Sequence, residues 1–184
     1  LAETASIFNE QLLTKSIEWE LSSKEYLELL NQKLQDITGT IFRQIMYTSF
    51  ERRVHEEIGA GKELTYKEFN AYWDEESKKL TWDVVSSKLK PEENYTWSVI
   101  PHIFHTPFYC YTYAFGMILS FALMDRYEKQ GSEFIDDYKA ILRSGWSQRP
   151  RDLLLRYGID IAGEEFYDAA FRRIEKVVGE FEAT

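Results

Sequence analysis

The sequence is poor in the residues that most often announce a function: it has one cysteine, Cys110, and three histidines in 184 residues. A lone thiol excludes an internal disulfide. With neither a basic-then-apolar leader pattern nor an acylation motif, a reducing, cytoplasmic setting is the expectation. Positive charge is also short, with 22 Lys and Arg against 31 Asp and Glu and a net charge of -9. No basic stripe interrupts that balance, so nucleic acids and anionic membrane surfaces are excluded as partners. Charge of either sign disappears between Asn94 and Met124. That stretch is no membrane span, because it contains Pro101 and Pro107, and its unbroken apolar part, Ala114 to Met124, is about half the roughly 20 residues a bilayer requires. It reads as a helix buried on all sides within one domain covering residues 1–184, a length at which roughly 70% of the unfolded chain's surface is buried on folding.

What is present is helical spacing almost throughout. The pattern predicts an all-α chain with a first helix over Ala2 to Glu20. Ser22 with Glu25 and Thr65 with Glu68 have the capping-box spacing, in which a hydroxyl and a carboxylate reciprocally satisfy free N-terminal amides. They open helices over Ser23 to Asp36 and from Thr65 to Lys79. Between them "DITGT" reads as a break, followed by a helix that Gly59 and Gly61 stop. Trp82 to His105 reads as a long connection. Thr106 and Pro107 have the cap-then-proline order of a helix start running to Lys129. Further helices are expected over Glu133 to Arg143, from Pro150 to the region of Gly158, and over Glu164 to Glu182.

Three groups of residues have chemical potential. "HEEIG", His55 to Gly59, begins like the zinc-protease motif H-E-x-x-H but ends in glycine, so the second imidazole is missing. His55 then reads as a solvated side chain near a helix C-terminus. Glu3 and Glu10 are seven apart and share one helix face, as exposed N-terminal carboxylates or as half of a carboxylate metal site. The Glu-x-x-His steps of di-iron bundles are absent. The third group is "IPHIFHTPFYCYTYAFG", Ile100 to Gly116, with His102, His105, Tyr109, Tyr111, Tyr113 and Cys110. It reads either as an aromatic core around satisfied histidines or as neutral imidazole and phenol donors able to stabilise an oxyanion.

The segments "LAETASIFNEQLL", "IFRQIMYTSFERRVHE", "IPHIFHTPFYCYTYAFG" and "SGWSQRPRDLLLRYGIDI" resemble, in order, the C-terminal part of the catalytic domain of oligoendopeptidase F-type zinc peptidases, relatives of thimet oligopeptidase. The resemblance implies a helical zincin-like fold and hydrolysis of short peptides. It implies that Glu3 is the third zinc ligand, following the two histidines of an H-E-x-x-H some two dozen residues upstream, and that Glu10 supports the ligand shell. It places His102 and Tyr111 where the family stabilises the tetrahedral intermediate, with His105 and Tyr109 beside them. Phe104 stands where many relatives carry tyrosine.

This chain contains no H-E-x-x-H, so two ligands and the glutamate that would deprotonate a metal-bound water are missing from it. The expectation is a fragment that is inactive alone, holds no zinc by itself, and belongs with an absent N-terminal part of the same polypeptide. An apolar face left by that part would favour homo-oligomers. The rival is a helical interaction domain without chemistry, and a carboxylate-bridged di-metal protein is a third reading.

Overall fold

A computed structural model describes residues 3–81, 90, 93–145 and 147–184, and the described residues form helices and turns with no β-strand. The elements are α1 (Thr4–Ile17), α2 (Ser23–Ile37), α3 (Arg43–Gly59), α4 (Tyr66–Thr81), α5 (Pro101–His105), α6 (Tyr111–Gln130), α7 (Phe134–Ser144), α8 (Pro150–Arg156) and α9 (Glu164–Ala183). The all-α expectation holds. Ala2, the expected first helical residue, and much of the expected connection, 82–89 and 91–92, lie outside the described residues.

Both capping boxes are formed. The Ser22 hydroxyl and amide both donate to Glu25 Oε2, the amide at 2.9 Å, and the Thr65 hydroxyl and amide to Glu68 Oε2, the amide at 2.8 Å. The hydroxyl bonds first, then the amides, hold both glutamates below the ordinary carboxylate range. Glycines with left-handed backbone follow three helices where they were expected: Gly61 at φ +85°, Gly131 at +62° and Gly158 at +69°.

Two expectations fail for local reasons. "DITGT" does not break the helix, because Gly39 keeps a right-handed backbone and Thr38–Phe42 is one π-helical turn leading directly into α3. The wider turn accommodates the glycine, and Gln44 Nε2 reaches back to the Gly39 carbonyl at 3.4 Å. Thr106 and Pro107 do not start a helix either. Pro101 takes the N-terminal position of α5, a short helix within the expected connection, and Thr106 is its C-cap, donating its amide to the His102 carbonyl at 3.0 Å. Proline just past a C-cap serves as a stop. Phe108 then adopts φ +58°, and α6 begins only at Tyr111.

The chain divides into two compact units, Leu1–Ile37 with Phe115–Thr184, and Thr38–Ala114. In the first, Phe8 of α1 is 2% exposed and meets Phe134, Tyr127 and Tyr138, the last at 4.4 Å between ring centres. The α6 helix is the buried helix expected: Leu119, Ser120, Leu123 and Met124 are fully buried. Ser120, the polar member, donates to the Met117 carbonyl at 2.7 Å and accepts from Gln11 Nε2 at 2.6 Å. No helix among the described residues is long and apolar enough to cross a membrane. The second unit is built on Met46, Phe50, Val54 and Trp73, with Tyr47 stacked on Trp73 at 5.3 Å and Phe50 edge-on to it at 5.2 Å.

Glu128 of α6 sits between Lys15 at 2.6 Å and Arg173 at 3.1 Å. Burial alone would raise its pKa, but hydrogen bonds and charge from Arg173 and Lys15 outweigh that and bring it down to about 2. With the folded value depressed from 4.5, the stabilisation is complete above that ordinary value and is lost as pH falls through about 2. Discounted for the partly exposed side chain, it amounts to about 2 kcal/mol. Glu128→Gln should cost that much in urea unfolding at pH 7 and almost nothing near pH 2. A penalty independent of pH would contradict this account.

Candidate functional site

The α5–α6 corner in the second unit brings three of the sequence-identified residues together: His102, Tyr109 and Tyr113. The His102 and Tyr109 rings have centres 5.8 Å apart and planes only 10° from parallel. Tyr113, one turn into α6, completes the group: its ring stands perpendicular to His102 at 5.7 Å and to Tyr109 at 5.5 Å. Its hydroxyl lies 3.3 Å from His102 Nε2. With Nε2 unprotonated, the phenol donates to it and Nδ1–H is left as the imidazole's donor. With Nε2 protonated, the ring donates to the phenol oxygen instead.

Beside the pair is a cleft of about 220 Å³ lined by Gln44, Tyr47, Ile100 and Pro101 as well as His102 and Tyr113. Among the described residues its lining holds no carboxylate, ammonium or guanidinium group. Burial of Tyr47 pushes its phenol above the ordinary value, so it stays neutral. Such a cleft suits the uncharged parts of a ligand.

Tyr111 is the first residue of α6, half exposed, and makes no hydrogen bond or ring contact with this group among the described residues. Its phenol is therefore available to a ligand. His105 is exposed at the end of α5. A helix starting at Thr106 and Pro107 would put its N-terminal dipole just after both histidines. In the structure both belong to α5, and α6 starts six residues after His105, so that dipole contribution is absent. His55 is exposed near the end of α3, its ring 4.9 Å from that of Phe108.

Glu3 is at the N-cap of α1, partly buried, and its carbonyl accepts from the Ile7 amide at 3.2 Å and the Ser6 hydroxyl at 2.9 Å. Its neighbour in the same unit is Gly116 of α6. A Cβ added there would lie 3.4 Å from the Glu3 Cβ, an ordinary van der Waals contact, so the start of α1 packs beside α6 at this position. Glu10 is exposed on α1. Among the described residues no three His, Cys, Asp or Glu side chains are grouped so that they could hold a metal ion, and Glu3 stands there as a single donor.

The four-residue spacing of Tyr109 and Tyr113 already marks a shared face, and the fold adds that this face receives His102. One relevant residue, Glu51, lies outside the groups the sequence marked. Glu51 is 1% exposed, and its signal was a carboxylate on the inward stripe Tyr47, Phe50, Val54 of α3. Its Oε1 accepts the Phe108 amide at 2.8 Å. Burial and the nearby Glu51 charge push the Cys110 thiol above its ordinary value, which marks it as a packing residue.

The all-helical fold and its imidazole–phenol corner find their class among known proteins. Residues 1–173 match the model of peptidase family M3, and the chain belongs to that family. It is 33% identical over 183 residues to an oligoendopeptidase F homolog of Lactococcus lactis, covering 99% of this chain and 30% of that protein. It is 35% identical over 184 residues to oligopeptidase PepF of Bacillus subtilis, covering 99% of this chain and 27% of that protein. The crystal structure of oligoendopeptidase-F from Enterococcus faecium superposes with a TM-score of 0.88 at 28% identity, over 99% of this chain and 34% of that one. The chain thus spans less than a third of the length of these curated relatives.

Proposed function

We propose that this chain is the C-terminal part of the catalytic domain of a cytoplasmic, zinc-dependent oligoendopeptidase that hydrolyses short peptides. The observation that supports it most is the family match over residues 1–173, combined with a span of only about 30% of the relatives' length. Glu3 supplies one zinc ligand in the longer protein, and Glu10 supports it from the same helix face. The metal, when bound, polarises the peptide carbonyl and activates water. The residues of this chain do the rest: His102 and Tyr111 donate hydrogen bonds to the oxyanion, while Tyr109 and Tyr113 hold the imidazole, with His105 at the edge of the same corner. The 220 Å³ cleft receives an uncharged part of the peptide.

The test is hydrolysis of a quenched-fluorescent peptide by this chain alone and by the chain joined to the preceding residues of its reading frame. The reading expects cleavage by the longer protein only, lost on chelation and restored by zinc. Cleavage by neither protein in the presence of zinc would favour a helical interaction domain without chemistry.

A further inference from the structure

The corner that carries His102 and Tyr109 depends on a buried carboxylate that belongs to neither α5 nor α6. Glu51 projects from α3 into the interior of the second unit and is 1% exposed. Its Oε1 accepts the Phe108 amide at 2.8 Å, and no donor reaches its Oε2 among the described residues. Enclosing a carboxylate with half of its acceptor capacity unused is costly, so its single hydrogen bond must be an effective one. That bond goes to the one non-glycine residue of left-handed backbone among those described, Phe108 at φ +58°. A bulky residue leaves this conformation readily unless something holds it there. The residue after Phe108 is Tyr109, whose ring covers His102, and the residue after that is Cys110, 1% exposed.

We propose that Glu51 is a positioning residue: by holding the Phe108 amide it fixes the turn from Pro107 to Cys110, and so sets Tyr109 flat against His102. It never touches a substrate. Its relevance to catalysis rests on the reading of His102 as an oxyanion donor, but the placement of Tyr109 by Glu51 does not. Reach therefore matters more than charge. Glutamine keeps an acceptor oxygen at the same distance, whereas aspartate keeps the charge and withdraws it by one methylene.

The experiment is nuclear magnetic resonance on this 184-residue chain, which has only three histidines to distinguish. The ring protons of His102 carry an upfield shift from the stacked Tyr109, and Tyr109→Leu gives the unstacked reference. Glu51→Gln should keep the wild-type His102 shifts. Glu51→Asp should move them to the reference and accelerate exchange of the Phe108 amide roughly tenfold or more, the loss expected for a hydrogen bond to a charged group. Wild-type His102 shifts in Glu51→Asp would overturn the proposal, as would equal damage from Gln and Asp. Global unfolding of Glu51→Asp would assign Glu51 to the core as a whole and overturn it too. Peptide hydrolysis enters none of these readouts, so a failure of the peptidase reading would appear separately.

Discussion

His102→Ala in the longer protein should lower kcat by about 10²–10³-fold and leave KM nearly unchanged, because an oxyanion donor acts only when charge develops on the carbonyl oxygen. That corresponds to about 2.7–4 kcal/mol of barrier. The structure allows an effect of this size because the imidazole is already oriented before substrate arrives: Tyr109 covers its face and the Tyr113 hydroxyl lies 3.3 Å from Nε2. A donor that need not be organised during the reaction contributes its full interaction. Tyr113→Phe removes only the partner of the ring and should cost less than His102→Ala. Tyr111→Phe should lower turnover more than it raises KM, since its half-exposed phenol holds no hydrogen-bond partner among the described residues. If His102→Ala raised KM with kcat intact, His102 would be a ground-state contact of the cleft and not an oxyanion donor.

Local signals in the sequence were reliable where one interaction decides the outcome. The two capping boxes, the glycines after α3, α6 and α8, and the charge-free core of α6 are each determined within a few residues, and each formed where the sequence put it. The errors arose where two local preferences competed. Thr106-Pro107 is chemically able to start a helix or to end one, and the choice belonged to Pro101, which had already started α5 five residues earlier. Gly39 between two threonines was able to break a helix, yet a π turn absorbed it.

The site was legible as a list of residue types and illegible as geometry. His102 and Tyr109 were named from "IPHIFHTPFYCYTYAFG", but their stacking depends on a left-handed Phe108 held by Glu51, a residue 57 positions earlier. No periodicity within the segment contains that contact. The same holds for Gly116, which lies beside Glu3 although the two are far apart in the sequence. Long-range contacts of this kind are what a family resemblance supplies and a spacing argument does not.

Zinc content tests the central claim most directly, because Glu3 is the only ligand assigned to this chain and one carboxylate is not a site. Elemental analysis after dialysis should find about one zinc per molecule of the longer protein and essentially none in the 184-residue chain. Glu3→Ala in the longer protein should weaken zinc binding by at least about 100-fold, the upper end of what even outer supporting groups cost, and abolish turnover with it. Glu10→Ala, one helical repeat on, should have the smaller effect of a supporting group. Stoichiometric zinc in the chain alone, or an unchanged zinc content in Glu3→Ala, would contradict the account.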